Sequence, residues 1–193
     1  MGLALGALEN RGKLTDVSKN FVQLCRTAAL QRFMLTSKRT DVTMQEREDW
    51  DAMSYAPYMS VILIAGKDVR IFLKAHFHLK KSIHFLANSF EHEQILDFYR
   101  EYCNLFAGAI KQAILEQNIV CGISLPTILS GFDELIFSDK VRGNSRYKDC
   151  FDLVVGDFKV TITISADLMS ETITKSLQGV RTELADAEDI EFL

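Results

Sequence analysis

Apolar residues between positions 15 and 35 recur at three- and four-residue steps, the spacing of one buried helix face. Thr15 or Asp16 is suited to cap this helix, because a short polar side chain can accept from the free backbone N–H groups of the first turn. Residues 38–56 are rich in charge and show little periodicity. We interpret them as a solvated connector, in which Trp50 is the residue able to pack onto the body of the protein.

A strand pair is predicted next. Residues 58–65 are apolar on both faces, which is typical of a central strand, whereas residues 69–77 alternate between apolar and polar positions. Gly66 and Lys67 suit a two-residue turn between the strands, with Gly66 at a positive φ.

The same pattern returns near the end of the chain. Residues 151–155 and 158–165 predict a second hairpin around Gly156 and Asp157. The polar stretch 138–149 before it is interpreted as a loop or hairpin end.

Helices are predicted between and after the hairpins. A short helix covers 79–87, and a long helix follows, opened by an Asn88 or Ser89 cap and ending near Asn118.

The segment that follows the long helix, residues 119–131, is predicted to be extended, because Pro126 would break a helix. Asp167 is predicted to cap a last helix that ends before Gly179. Helix, hairpin, two helices, hairpin and helix is not the rhythm of a parallel sheet. The order predicts an α+β single domain with a mostly antiparallel sheet packed with long helices.

Charge and composition exclude several classes of protein. The 193 residues include 22 basic and 26 acidic side chains, a net charge of −4, which argues against a nucleic-acid or polybasic membrane-binding protein. No apolar run approaches the roughly 20 residues of a membrane span. Four scattered cysteines and the absence of a secretory pattern lead us to expect a cytoplasmic protein. We divide the chain into a flexible N-terminus, a helix with its connector, a main domain and an acidic tail, at 1–14, 15–57, 58–178 and 179–193.

The polar face of the long helix holds the candidate chemistry. Glu101 and Asn104 are three residues apart, so their side chains are neighbours on the helix surface. Gly108, one turn on, costs about 1 kcal/mol relative to Ala in a helix and would let a partner approach closely. Taken alone, the pattern also fits an ordinary solvent-exposed face.

Other candidates are weaker. His76 and His78 share one strand face, but no third ligand follows at a spacing typical of metal sites. The simpler interpretation is that both are exposed strand residues without a metal. Cys103 is expected to face inward, and Glu91 and Glu93 to complement the helix dipole rather than to bind metal.

Residues 101–111, E-Y-C-N-L-F-A-G-A-I-K, resemble the E-x-x-N helix of the CheC/CheX phosphatases of bacterial chemotaxis, in which a Gly and often a Lys also follow. The S-L-P-T run at 124–127, with Gly131, resembles a second stretch of that family. The hairpin at 59–73 sits where the family has its first strand pair. One E-x-x-N, rather than two, is similar to CheX.

The resemblance implies a CheC/CheX-like fold over 58–178 and a phosphatase that acts on the phospho-aspartate of a CheY-like response-regulator receiver. Asn104 would orient the attacking water and Glu101 would pair with the receiver's active-site Lys. Gly108 and Lys111 would belong to the binding surface. The resemblance further implies no metal or cofactor of the protein's own, Mg²⁺ supplied by the receiver, and a homodimer through edge strands.

Two alternatives remain open. The same helix would serve a non-catalytic receiver-binding adaptor in two-component signalling, or the chain would be a small-molecule-binding α+β domain. The first predicts association without a change in receiver lifetime, and the second predicts a sizeable apolar pocket.

Overall fold

The computed structural model describes residues 16–47, 56–86, 91–130 and 145–177. Four helices and seven strands lie in these ranges. In chain order they are α1 (Asp16–Ser37), β1 (Thr43–Glu46), β2 (Tyr58–Gly66), β3 (Val69–Phe77), α2 (Leu79–Phe85), α3 (His92–Leu115), β4 (Cys121–Ile123), β5 (Thr127–Ser130), β6 (Ser145–Val155), β7 (Phe158–Leu168) and α4 (Glu171–Ser176). None of the helices in these ranges is long and apolar enough to span a bilayer.

The described strands form one sheet in the order β1-β6-β7-β3-β2-β4, with β5 also paired to β2. Every pairing is antiparallel. The predicted α+β class and antiparallel sheet are therefore confirmed.

The sheet order shows an architectural repeat that the sequence does not display. Each half of the chain runs helix, edge strand and hairpin: α1, β1 and β2–β3, then α3, β4–β5 and β6–β7. Each edge strand pairs with the hairpin of the other half, and β3 and β7 join the halves at the centre. The halves are thus interlocked and bury a common core.

Helix α1 is part of that core. Its buried side chains include Phe21, Leu24 and Phe33. The Arg26 guanidinium donates to both Asp149 carboxylate oxygens at 2.7 and 3.0 Å, and to Glu46 Oε1 at 2.6 Å. These contacts join α1 to β6 and β1. The hydrogen bond to Asp149 is the main reason why the pKa of the Arg26 guanidinium is raised above its usual value.

Several predicted boundaries were wrong in the first half. The interpretation of 38–56 as a connector missed β1, whose four residues pair with β6 from Thr43 opposite Val154 to Glu46 opposite Phe151. This strand is short and mostly exposed, so it has no apolar alternation to detect. Trp50 lies outside the described residues.

The first hairpin was confirmed, but its turn was misplaced. Lys67 and Asp68 form the connection, and Gly66 ends β2 without a positive φ. Gly66 has a different role, since a Cβ there would lie 2.5 Å from the Val120 carbonyl oxygen. The positive φ, +54°, occurs at Gly156 in the second hairpin, where the turn was predicted.

In the second half, β6 begins at Ser145, so residues 145–149 are strand rather than loop. The last strand extends to Leu168, which places Asp167 in β7, almost wholly buried, and not at a helix cap. Ser170 caps α4 instead, its Oγ accepting from the Ile173 N–H at 3.3 Å.

The prediction that the two strand histidines are exposed was also wrong in part. His76 is buried and its Nε2 lies 2.9 Å from Thr163 Oγ1, while His78 is half-buried and precedes α2.

Candidate functional site

Helix α3 begins later than predicted and carries its own start signal. Glu91, not Asn88 or Ser89, is the N-cap, and those two residues lie outside the described part of the chain. The Glu91 side chain accepts from the Gln94 backbone N–H, and the Gln94 side chain accepts from the Glu91 N–H at 2.8 Å. This reciprocal capping box fixes the first turn and hence the phase of the helix.

The inner face of α3 is anchored on both sides. Ser60 Oγ of β2 donates to the Tyr99 carbonyl at 3.2 Å, and Cys103 Sγ donates to the Ser60 carbonyl at 3.8 Å. On the other side, the Tyr102 hydroxyl donates to the Ala29 carbonyl of α1 at 3.2 Å. Because the buried face is held at these points, the opposite face is fixed toward solvent.

The ridge, which we define as Glu101, Asn104, Gly108 and Lys111, lies on that outer face. Glu101 is exposed, and the other three are half-buried. Within the described residues, neither the Glu101 carboxylate nor the Asn104 amide makes a hydrogen bond or ion pair with another side chain or the backbone. Both groups are free to engage another molecule.

The neighbouring carboxylates are already occupied. Arg100 Nη1 donates to Glu93 Oε1 at 2.9 Å and to Asp97 Oδ1 at 2.5 Å. These two bonds raise the pKa of the Arg100 guanidinium, with the Glu93 bond as the larger cause. Glu101, one turn after Asp97, is left as the carboxylate of this outer face without a cation among the described residues.

Gly108 leaves open space. A Cβ built there would meet nothing within 4 Å. Packing within the described chain therefore gives no reason for glycine at this position, although glycine costs a helix about 1 kcal/mol relative to Ala.

Lys111 lies on the side of α3 that faces β4. Burial raises the pKa of the Cys121 thiol, and the positive charge of Lys111 opposes this as the smaller effect. The four predicted ridge residues thus lie together on one helix face.

Cys103, between Glu101 and Asn104 in sequence, is fully buried, which confirms the inward orientation. Burial raises the pKa of its thiol to about 12. We expect Cys103 to resist iodoacetamide at pH 8, because the reactive thiolate is nearly absent, while the half-buried Cys121 is alkylated first. Mass spectrometry of partly labelled protein checks this, and urea should abolish the difference. Equal labelling in the folded protein would contradict it.

No three His, Cys, Asp or Glu side chains in the described ranges are grouped so that they could hold a metal ion. At the ridge, the Glu101 carboxylate is an ion-pairing group beside the Asn104 carboxamide, which both donates and accepts hydrogen bonds.

Sequence reasoning missed one feature beside the ridge. Residues 124–126, the first three of the S-L-P-T run, form the break between β4 and β5, in which Ser124 Oγ accepts from the Leu63 N–H at 3.0 Å. Leu125 there is 86% exposed. The sequence does carry a signal for this feature, because Pro126 lacks the N–H needed for strand pairing and the residue before it is a leucine.

The fold resembles those of several solved chemotaxis proteins. A chemotactic CheC-like protein from Shewanella oneidensis superposes with a TM-score of 0.60 at 16% identity, over 77% of this chain and 98% of that one. CheX from Vibrio vulnificus gives 0.59 at 15% identity, over 76% and 99%. A CheX from Borrelia burgdorferi, solved with CheY, BeF3 and Mg²⁺, gives 0.55 at 14%, over 78% and 98%.

No protein-family model and no curated protein matches the sequence. The chain thus has the fold of the CheC-like and CheX proteins, with the ridge on its long second-half helix.

Proposed function

We propose that this protein hydrolyses the aspartyl phosphate of a CheY-like receiver domain. The observation that carries the proposal is that Glu101 and Asn104 lie side by side on the outer face of α3 in a CheX-like fold. Neither side chain makes a hydrogen bond or ion pair with the described residues. A structural neighbour from Borrelia burgdorferi, solved with CheY bound, supports a receiver as the partner.

The proposed reaction asks little of the protein. An acyl phosphate is already activated, and the receiver's own Mg²⁺ neutralises phosphoryl oxygens. What remains is to hold a water in line with the phosphorus, the task that a Gln performs in small GTPases. Asn104 would accept a hydrogen bond from that water through Oδ1. The oxygen of water bonds to phosphorus, the bond to the aspartate oxygen breaks, and inorganic phosphate and a free carboxylate result.

Glu101 has the complementary task of docking. Its unpaired carboxylate would pair with the receiver's active-site Lys, which orients the ridge and weakens the hold of that Lys on the phosphoryl group. Gly108 would let the receiver surface approach the helix backbone, and Lys111 would contact the receiver beside it.

The test is the lifetime of a receiver charged with acetyl phosphate, followed by phosphate release with and without this protein. Faster release supports hydrolysis. Association that depends on phosphorylation without faster release would instead identify a non-catalytic adaptor, and neither effect would overturn both.

Glu101→Ala is expected to weaken binding of the beryllofluoride-activated receiver by up to about fivefold, the effect of losing one exposed ion pair, and to slow hydrolysis as well, because the lost group acts in docking. Calorimetric titration measures the first effect and phosphate release the second. Glu116→Ala, at the end of the same helix, is the matched control for a lost exposed carboxylate. Full binding by Glu101→Ala would contradict the docking role.

We also propose a homodimer formed by sheet extension through an edge strand, since edges are prone to pair. Of the two edges of the described sheet, β1 pairs without a break, whereas β4–β5 is interrupted at residues 124–126. Sedimentation equilibrium at micromolar concentration is expected to give twice the chain mass. A monomer under these conditions would contradict the dimer.

A further inference from the structure

The two most exposed large apolar side chains among the described residues lie on one edge of the sheet, beside α3. Leu125 is 86% exposed and Val120 is 78% exposed. Single exposed leucines are ordinary, but a leucine as exposed as Leu125 on the edge next to the helix that carries the ridge is suited to contact a partner.

Leu125 is held outward by a built bulge. Ile123 pairs with Ile64 and Thr127 with Val61, so three residues of the edge face two of β2. The bulge is closed by Ser124, whose N–H donates to the Leu63 carbonyl at 2.8 Å. Its Oγ accepts from the Leu63 N–H at 3.0 Å and donates to the Leu125 carbonyl at 3.1 Å. Leu125 is therefore presented on a fixed backbone.

The rises of strand and helix place the bulge near the Gly108 end of the ridge. Ser60 contacts Tyr99 and Cys103, which aligns that point of β2 with the middle of α3. Leu63 is three residues further on, about 10 Å at roughly 3.3 Å per strand residue, or about seven residues of helix at 1.5 Å each. With α3 and β2 running side by side, that displacement corresponds to the turn containing Gly108. The two elements run in the same direction, because the Val120 carbonyl, just beyond α3, lies beside Gly66 at the end of β2.

We propose that Leu125 is the apolar anchor of the receiver-docking surface and determines affinity rather than the chemical step. This inference rests on the proposed function. A lone exposed ion pair contributes about 0–1 kcal/mol, so Glu101 alone would hold a receiver poorly. Leu125 is exposed in the free protein, and covering its side chain on docking would add the free energy of apolar burial that the ion pair lacks.

A receiver fits this surface better than a second copy of the chain does. Sheet extension needs a continuous row of backbone groups, and here β4 has three residues, β5 has four, and Pro126 between them has no N–H. Helix α3 also contacts β4 and β5, the strands on either side of the bulge, so a receiver docked on the ridge would lie next to this edge.

The experiment compares wild type, Leu125→Ser and Leu125→Met with a CheY-type receiver. KM for the phosphorylated receiver and kcat are measured by phosphate release, with the receiver charged by acetyl phosphate. Kd is measured with the beryllofluoride-activated receiver. Leu125→Ser is expected to raise KM and Kd about tenfold with kcat at saturation unchanged, and Leu125→Met to restore both. Leu35→Ser is the matched control, because Leu35 is 47% exposed and lies on α1, across α3 from the edge.

Each result decides between the two proposals. A wild type that neither binds nor dephosphorylates the receiver overturns the proposed function and this inference with it. A functional wild type matched by Leu125→Ser overturns only the anchor. Sedimentation of Leu125→Ser gives the remaining outcome, since loss of a dimer with unchanged receiver binding would assign Leu125 to a second copy and overturn the inference.

Discussion

Asn104→Ala is expected to lower the rate of receiver dephosphorylation about 10²-fold while leaving receiver binding largely intact. The amide makes no hydrogen bond with the described residues, so its removal breaks no hydrogen bond that holds α3 in place. A 10²-fold loss corresponds to about 2.7 kcal/mol of barrier, which is reasonable for one group that orients the attacking water. Phosphate release at saturating receiver measures kcat, and titration with the beryllofluoride-activated receiver measures affinity.

Gln112→Ala is the matched control for this result. Gln112 also carries a side-chain amide on the outer face of α3, two turns further along, where it is exposed and lies outside the four ridge residues. The control should retain wild-type kcat. If Asn104→Ala dephosphorylates the receiver as fast as wild type does, the water-orienting role is wrong, whatever happens to binding.

Phe33→Ala is expected to destabilise the whole protein by about 3–5 kcal/mol, the usual cost of emptying a buried aromatic site. Phe33 is fully buried, and its ring contacts those of Phe98 and Tyr102 edge-on at centroid distances of 5.9 and 5.3 Å. It also stacks with Phe85 at 6.2 Å. The substitution therefore removes contacts from three helices together. Urea denaturation followed by circular dichroism and by fluorescence measures the loss.

The same experiment tests the division of the chain at position 57. A single transition seen by both probes, shifted to lower urea, is expected if α1 unfolds with the sheet. Leu35→Ala, at an exposed site on the same helix, should change stability by less than 1 kcal/mol. Two separate transitions, with only the first shifted by Phe33→Ala, would show that residues 15–57 form a unit of their own.

Much of the fold was predictable because its main elements have strong periodic signals. Strand β2 is an apolar run and β3 alternates between apolar and polar positions, and in the second hairpin Gly156 has the positive φ that the β6–β7 turn needs. In contrast, β1 was not predictable, since a four-residue strand with exposed side chains is specified by its pairing with β6 rather than by its own pattern.

Two errors had the same physical origin, a polar residue judged by its local sequence. Asp167 looked like a helix cap and His76 like an exposed strand residue, but both are buried by neighbours distant in sequence. His76 meets Thr163, 87 residues away, and β7 continues through Asp167 because it pairs with Arg70 of β3. Such partners are absent from any local window.

The sequence by itself determined the amphipathic phase of α3, and hence that Glu101 and Asn104 share one helix face, because helical periodicity is a local property. Only the tertiary structure decided that this face is open to solvent. The anchoring of Tyr99, Tyr102 and Cys103 turns the ridge outward, and Arg100 takes up Glu93 and Asp97 but not Glu101. The interlocked halves and the outward bulge at Leu125 likewise arise from pairing between distant strands, which no local pattern encodes.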